Sequence, residues 1–344
     1  MKNQHRLFSK ALLMFSFAAL SANAQEKAKE KKRYEFWKER SVSQSYNVDR
    51  DDKLDLSNTF GTVNIKTWAK NEVKVDIHIE TSSTVKEAND ELFNRIEIKH
   101  GKSGNVVYFK TEMENNDNKE RRYRGSQSNN IQIDYDVYMP ASLALDLKHR
   151  FGKAIVPDLT GKVNIDQQFG ELVAGKLSNP GRIDVRFSKA SFEGLNNAKL
   201  DLQFANAPVI IRNATGDLDL KVQHSKNGIT VYADDLNSLD VDAQFSDIGV
   251  VLPKNASASF DVKTHFGSFI NNSSFSVKGE EEENNDKRRW GPRFDNRFKG
   301  SAGSGKLKIK LDGNFSDFIL GHEAPSFKQK SGKEQRRVIR SGTI

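Results

Sequence analysis

The sequence has no cysteine, and this absence excludes two kinds of covalent attachment. The 344 residues contain no Cys and only seven Pro. Without cysteine there are no disulfides, and no lipid can be attached through a thiol. A chain of this length is long enough to be stabilised by a buried apolar core alone. Stability must therefore come from packing and hydrogen bonding rather than from covalent cross-links.

Long apolar runs are also missing beyond the N-terminus. Residues 1–24 begin with three basic side chains, continue with an apolar stretch and end Ala22-Asn23-Ala24. This pattern is typical of a cleavable secretory signal peptide, with an uncleaved anchor as the alternative. No later segment is apolar enough to span a bilayer. We therefore expect an exported protein of a Gram-negative bacterium, in the periplasm or at the outer-membrane or cell surface, with no transmembrane segment after signal cleavage.

The net charge of +8 is concentrated near the two ends of the chain. Besides the signal peptide, residues 25–40 and 321–344 hold the excess of Lys and Arg, whereas residues 41–320 are slightly acidic. A nucleic-acid-binding protein carries its positive charge on the folded surface that follows the phosphates. This distribution predicts no nucleic-acid partner. Residues 25–44 are expected to form a charged, flexible segment, and residues 321–344 a basic, disordered tail.

The motifs of common catalytic sites are absent as well. The sequence contains no G-x-S-x-G nucleophile elbow, no G-K-[ST] phosphate loop and no H-E-x-x-H zinc motif. Its seven histidines are scattered along the chain. We therefore expect a protein that is not an enzyme and that has no cofactor, with Ca²⁺ as the one exception considered below.

The sequence does contain a repeat. Nine times a hydrophobic strand ends in an aromatic ring, which is followed at once by a small residue. The pairs are Phe60-Gly61, Phe151-Gly152, Phe169-Gly170, Phe187-Ser188, Phe204-Ala205, His224-Ser225, Phe245-Ser246, Phe266-Gly267 and Phe315-Ser316. From Phe151 to Phe266 the spacing is 17–21 residues. A short, nearly constant period indicates stacked units, each of which buries its apolar face against its neighbours.

Each repeat has the alternation of a strand with one buried face. The fourth residue before the ring is aliphatic and the sixth is mostly apolar, whereas the odd positions are mostly polar. Apolar residues return three and five positions after the ring. Each unit is therefore predicted to be a strand, a corner and a second strand, with the rings stacked in a narrow core. This predicts an all-β fold, a β-solenoid with coils of 17–21 residues; a β-sandwich is the alternative.

The residues before the regular repeats have a different pattern. Thr84-Val-Lys-Glu87 fits a capping box that opens a short helix through Phe93. Alternating apolar residues from Ile131 to Met139 predict a strand. We expect residues 45–140 to form a small α+β cap with one short helix, covering the open end of a solenoid over residues 141–320.

Two polar insertions combine aromatic side chains with arginine. Residues 115–130 and the insertion at 279–305 are predicted to be loops by composition. Aromatic and arginine side chains are enriched in the energetically important part of protein interfaces. A soluble, unstructured loop is the alternative explanation. The partner-binding candidates are Arg121, Arg122, Tyr123, Arg288, Arg289, Trp290 and Phe294.

Stacking of the repeats also predicts rows of aspartates on the outer face. Asp166, Asp184 and Asp201 share one row, and Asp219, Asp240 and Asp261 share another. Such rows are compatible with a solvated face, a weak Ca²⁺ site or a catalytic pair of carboxylates. Lysines in the same row favour the solvated face. The row of Asp166, Asp184 and Asp201 stays as the candidate metal site.

Part of the sequence resembles a known family. The stretch from Leu54 to Trp68, the segment Tyr135-Asp-Val-Tyr-Met-Pro140 and the Phe-Gly units resemble the adhesin-like β-strand-repeat family of Bacteroidetes exported proteins. That family is related to the head domain of auto-transporter adhesins. The resemblance covers residues 41–320 and implies a single-stranded, right-handed β-helix. It brings no catalytic residues with it.

Together these observations predict an exported, non-catalytic β-solenoid scaffold of the bacterial cell envelope. It is expected to be adhesin-like and to present an elongated surface to an envelope protein or glycan. The alternative is a carbohydrate-active β-helix enzyme, a lyase or hydrolase, that uses its surface aspartates.

Overall fold

The computed structural model describes residues 34–114, 128–205, 207–280 and 295–327. Over these residues the chain is almost entirely β, with 21 strands in one hydrogen-bonded sheet and one short helix. No helix among the described residues is long and apolar enough to cross a membrane. The predicted signal peptide, residues 25–33 and residues 328–344 lie outside the described residues.

The first part of the chain contains seven strands and the helix. They are β1 (Phe36–Asn47), β2 (Lys53–Asn58), β3 (Gly61–Trp68), β4 (Glu72–Ser83), α1 (Lys86–Asn94), β5 (Ile96–Ser103), β6 (Val106–Met113) and β7 (Asn129–Pro140). The strand predicted from Ile131 to Met139 is thus confirmed.

Fourteen further strands follow. They are β8 (Ala144–Val156), β9 (Leu159–Arg186), β10 (Lys189–Gln203), β11 (Val209–Ile211), β12 (Ala214–Gln223), β13 (Ile229–Tyr232), β14 (Asp235–Gln244), β15 (Asp247–Val251), β16 (Ala258–His265), β17 (Phe269–Asn271), β18 (Val277–Gly279), β19 (Asp295–Ala302), β20 (Leu307–Asn314) and β21 (Asp317–Gly321).

The chain divides into two compact units. Unit 1 comprises Met1–Val42, His78–Ile98 and Thr111–Ile133, and unit 2 comprises Ser43–Ile77, Lys99–Lys110 and Asp134–Ile344. Unit 1 contains the helix, and unit 2 contains all nine aromatic repeat positions.

Helix α1 in unit 1 forms where the sequence predicts it, but the predicted capping box is wrong. The residue before the first helical turn is Val85, which makes no capping hydrogen bond through its side chain. The hydroxyl of Thr84 instead accepts a hydrogen bond from the backbone N–H of Ser128, at 3.3 Å. Ala88 and Leu92, one helical turn apart, are buried. The helix is therefore held by its apolar face rather than by its N-terminal side chain.

Parallel pairing dominates unit 2. Leu147 pairs with Ile165, Leu200 with Leu220, and Leu220 with Val241. All of these are the fourth residue before a ring, so equivalent repeat positions lie side by side after one sequence period. The predicted pairing of equivalent positions is confirmed for these repeats.

The last two repeats are not stacked in chain order. Strand β20 lies between β14 and β16, because Leu311 pairs with Val241 on one side and with Val262 on the other. The chain therefore leaves one layer open after β14 and fills it last. On its other edge β16 pairs with β19 in antiparallel fashion over eight positions. The prediction of a loop throughout residues 279–305 is wrong, since β19 falls within it.

The rings do not fill the core, contrary to the sequence prediction. Eight of the nine ring residues have a positive φ of 49–55°, the left-handed region that favours glycine. In an extended strand, successive side chains point to opposite faces, and one left-handed residue interrupts this alternation. Val185 is therefore buried, Phe187 is 38% exposed, and the next residue, Ser188, is fully buried. The ring turns outward and the small residue turns inward.

The small residue fits a narrow space between layers. A Cβ added to Gly170 would lie 1.8 Å from the carbonyl oxygen of Gly152 in the neighbouring layer. In later layers a buried serine occupies this position and bonds in two directions. The Ser246 hydroxyl donates to the carbonyl of Gln244 at 2.8 Å and accepts from the N–H of Ser225 at 3.1 Å. The Ser246 hydroxyl thus gives the buried N–H of Ser225 its acceptor, and it adds a second hydrogen bond to the Gln244 carbonyl, which also accepts from the N–H of His224 at 2.9 Å.

We expect Ser246→Ala to lower the free energy of unfolding by about 1–3 kcal/mol, because the buried N–H of Ser225 loses its acceptor. The measurement is urea unfolding followed by circular dichroism. Ser238→Ala serves as the control. Ser238 lies on β14, the strand just before Ser246 in the chain, and is more exposed, so its replacement is expected to change stability by less. Equal losses in the two variants would contradict the role given to the buried hydroxyl.

A buried histidine occupies the core position two residues before Phe151. His149 is fully buried; its Nδ1 lies 3.0 Å from Gln167 Oε1, and its Nε2 lies 3.2 Å from the carbonyl oxygen of Gly61. Burial lowers the pKa of His149, and this outweighs the opposing hydrogen bonds and the more distant Asp134. The neutral imidazole is therefore the form that the folded protein holds.

This lowered pKa predicts a loss of stability in mild acid. The unfolded chain takes up the proton at about pH 6.5, before the folded protein does, so stability falls as the pH drops through that value. The loss attributable to His149 reaches at most about 1.4 kcal/mol at about pH 5.5. His149→Gln replaces the imidazole with the amide side chain that Gln167 carries in the neighbouring layer. This variant should lose the dependence of stability on pH that His149 causes. Urea midpoints at several pH values test it; parallel curves for the two proteins would contradict it.

Candidate functional site: the aromatic ladder and the charged rows

The nine rings of unit 2 form one continuous stack, here called the aromatic ladder. Neighbouring ring centroids are 4.7–5.5 Å apart, with interplanar angles of 3–15°. This spacing matches the distance between adjacent strands of a sheet. The rings therefore stack because the backbone layers do. In spatial order the ladder is Phe60, Phe151, Phe169, Phe187, Phe204, His224, Phe245, Phe315 and Phe266.

The aromatic ladder is an exposed apolar feature. Seven of its phenylalanines are 38–42% exposed. With roughly 200 Å² for each ring, the exposed part is on the order of 500 Å². That is near the upper end of the largest apolar patch on an ordinary monomer, and patches of this size are often functional.

Stacking restricts how the ladder can bind. Each ring covers the faces of its two neighbours, so mainly the ring edges reach solvent. A sugar ring stacks on the face of an aromatic side chain, and those faces are occupied within the stack. The ladder therefore suits the apolar surface of a protein better than a pyranose ring.

His224 takes the sixth place in the ladder, as predicted. Its ring lies 4.8 Å from Phe204 and 5.1 Å from Phe245, nearly parallel to both. The imidazole thus fills the aromatic position of its layer.

Beside the ladder run two rows of outward side chains. The first charged row is the third residue before each ring, and the candidate metal residues Asp166, Asp184 and Asp201 belong to it. Asp184 and Asp201 are direct strand partners. Asp166 receives hydrogen bonds on both oxygens from Arg186, each at 2.9 Å. Thus the row forms, but one carboxylate is already bound by a guanidinium.

The other two candidate metal residues, Asp184 and Asp201, also have partners. Arg182 Nε donates to Asp184 at 3.0 Å, and this hydrogen bond raises the pKa of Arg182. Gln203 donates an amide hydrogen bond to Asp201 at 3.0 Å. A calcium ion bridging these residues would have to compete with the protein's own donors. Calcium binding here stays a prediction.

The second charged row is the fifth residue before each ring, and its order differs from the prediction. Asp219 and Asp240 are neighbours as expected, but Asp240 pairs next with Lys310, and Lys310 pairs with Asp261. The predicted contact between Asp240 and Asp261 is wrong, because β20 inserts between their strands. Lys310 binds Asp240 at 2.7 Å, and this hydrogen bond raises the pKa of the lysine. The insertion thus separates two like charges.

Two shallow depressions lie along the charged rows, and Arg182 and Asp184 line both of them. Their volumes are about 690 Å³ and 430 Å³. In the smaller one, partial burial alone would raise the pKa of Asp146, but hydrogen bonds from Asn164 at 2.6 Å and Lys53 at 2.8 Å outweigh it and lower the pKa. A general acid needs the opposite, a raised pKa. The depression therefore holds an ionised, paired carboxylate.

The partner-binding candidates in the insertions lie outside the described residues. They are Arg121, Arg122, Tyr123, Arg288, Arg289, Trp290 and Phe294. Sequence reasoning placed the exposed aromatics there and missed those of the ladder. Phenylalanine is not a residue that usually adopts positive φ, so no signal in the sequence indicated that these rings turn outward.

The left-handed corners predict an unusual order of stability between two ladder variants. Phe187→Ala removes two stacking contacts, worth about 0.5–1.5 kcal/mol each, while keeping a Cβ in the left-handed conformation. Phe187→Gly loses the same contacts but avoids the conformational cost of about 1–2 kcal/mol. We expect the glycine variant to unfold at higher temperature than the alanine variant. In an ordinary strand the glycine variant is the less stable of the two. If calorimetry shows the alanine variant unfolding at the higher temperature, that result would contradict the left-handed conformation of residue 187.

Comparison with known proteins yields distant likenesses only. No family model matches the chain, and no curated protein matches it. A solved structure described as a "putative adhesin" of Bacteroides fragilis is 9% identical, with 82% of this chain and 97% of that one covered and a TM-score of 0.38. A "putative cell adhesion protein" of Clostridium sporogenes is 13% identical, with 83% of this chain and 99% of that one covered and a TM-score of 0.23. A "putative adhesin" of Parabacteroides merdae is 8% identical, with 82% of this chain and 96% of that one covered and a TM-score of 0.31. Scores and identities this low establish neither a shared fold nor a shared activity.

Proposed function

We propose that this chain is an exported, non-catalytic β-solenoid scaffold of the bacterial cell envelope that binds a protein partner through its aromatic ladder. Export rests on the signal-like pattern of residues 1–24. The solenoid rests on the parallel pairing of equivalent positions after 18, 20 and 21 residues. The handedness of the coil is carried over from the family resemblance and is part of the proposal.

The observation that carries the binding function is the exposure of the ladder. Burying a phenylalanine is favourable, and the fold turns seven of them outward in a single row. The row is continuous, and its rings are held rigidly by stacking. A partner can therefore cover a preformed apolar surface without ordering it first, which lowers the entropic cost of binding.

The carboxylates beside the ladder fit a binding surface better than an active site. Asp146 and Asp261 have lowered pKa values: hydrogen bonds outweigh partial burial at Asp146, and a hydrogen bond from Arg297 is the main cause at Asp261. Both stay ionised at neutral pH and hold a cationic partner. A glycosidase requires one carboxylic acid that keeps its proton. For Asp146 and Asp261, ionisation and pairing favour the scaffold over the alternative enzyme.

Two further contributions belong to the proposal. The insertions at residues 115–130 and 279–305, with their arginine and aromatic side chains, each supply further contacts with the partner. Calcium bound by the first charged row remains a low-affinity addition. Neither is required for the ladder to bind.

The test is binding of the full chain to immobilised envelope proteins and, in parallel, to an array of envelope glycans, with Ca²⁺ and with EDTA. We expect saturable binding to a protein, without release of product, and at least about tenfold weaker binding by a Phe169→Asn, Phe187→Asn, Phe204→Asn triple variant. Asparagine is chosen because it tolerates the left-handed conformation and removes the apolar ring.

The control makes the same chemical change away from the ladder. Ile270 is 45% exposed on the short strand β17, so Ile270→Asn removes an exposed apolar side chain and should leave binding unchanged. Equal binding by the triple variant and the wild type would refute the role of the ladder. Cleavage of a glycan would refute the non-catalytic proposal and direct attention to the aspartate rows.

A further inference from the structure

Unit 1 contains a cluster of metal-ligating side chains that the proposed function does not use. Glu39 lies on β1, and His78 and Glu80 lie on β4, which pairs with β1. One ligand atom from each of these residues lies within 4.8 Å of the other two. Among the described residues this is the one group of three such side chains brought so close together.

The strand geometry explains why these residues meet. Residues two apart on a strand point to the same face, so His78 and Glu80 share a face, as do Glu39 and Ser41 on the neighbouring strand. The four side chains form a compact cross-strand patch. His78 Nδ1 lies 3.4 Å from the Ser41 hydroxyl, and His78 Nε2 lies 3.9 Å from Glu39 Oε2.

The contact with Ser41 determines which imidazole nitrogen is available. When Nδ1–H donates to the Ser41 hydroxyl, the lone pair of Nε2 is available to a metal, and Nε2 lies 3.9 Å from Glu39 Oε2. A hydrogen bond from the second ring nitrogen is the usual way in which proteins orient a metal-binding histidine. The patch therefore has both the ligand atoms and the outer contact that orients one of them.

We propose that Glu39, His78 and Glu80 bind a divalent transition-metal ion of the zinc class. Imidazole with carboxylate is a ligand set that suits such ions, whereas Ca²⁺ and Mg²⁺ prefer oxygen ligands alone. Ligand atoms around a four-coordinate zinc lie roughly 3.3 Å apart, as bonds of about 2.0–2.1 Å require. The three side chains thus need to close by little more than an ångström.

That closure needs only side-chain movement. The side chains of Glu39 and His78 are 74% and 46% exposed, so their rotation meets little resistance from packing. Three protein ligands leave a fourth position for water. The ion also neutralises two carboxylates that otherwise face each other across neighbouring strands, which adds to the gain on binding.

The test is isothermal titration of the full, EDTA-treated chain with ZnCl₂ at about pH 7.5. We expect one saturable equivalent in the wild type, no saturable binding at this site in His78→Asn, and about tenfold weaker binding in Glu80→Gln.

The matched control is Glu87→Gln, which removes an exposed carboxylate from α1 in the same unit and should bind zinc as the wild type does. Circular dichroism of the metal-free variants should match that of the wild type, since the altered side chains are not in the core. Zinc binding by His78→Asn with unchanged affinity, or no saturable binding by the wild type, would overturn the proposal. Neither result would affect the ladder experiment, which tests unit 2 separately.

Discussion

The left-handed conformation of the residue at each corner is the constraint on which the rest of unit 2 depends. It interrupts the alternation of the strand once in every layer, so that a large ring turns outward and the following residue turns inward. Eight corners share φ values between 49° and 55°, which means that the same geometry recurs from layer to layer. The conformation costs about 1–2 kcal/mol for a residue with a side chain. Stacking with the rings above and below offsets that cost.

The same corner creates the need for a small, buried neighbour. Where the layers lie closest, as between Gly152 and Gly170, there is no room even for a Cβ. Where serine replaces glycine, as at Ser246, its hydroxyl accepts a hydrogen bond from a buried N–H of the neighbouring layer. The outer ladder and the inner row of small residues are therefore two consequences of one backbone feature. Both are structural, yet only the outer one is exposed to solvent.

The six candidate aspartates of the charged rows beside the ladder all have a hydrogen-bond or ion-pair partner. They bind arginine, lysine or amide groups, as Asp166 does with Arg186. Strand β20 contributes to this by placing Lys310 between two layers of aspartate. Paired charges of this kind present little net field, whereas the apolar ladder beside them stays exposed.

Sequence and tertiary structure determined different parts of this protein. The period of 17–21 residues and the alternation before each ring were enough to predict parallel layers of strands and which aliphatic residues are buried, because strand periodicity is a local property. Helix α1 was predicted from a capping box that does not form, and its buried residues Ala88 and Leu92 hold it instead. The outward direction of the rings was not predictable, since it depends on a backbone conformation that phenylalanine rarely adopts alone. The order of the last layers was not predictable either, because the repeats share one pattern and each fits any layer. Only pairing between residues distant in the chain placed β20 beside β14, and brought Glu39 next to His78.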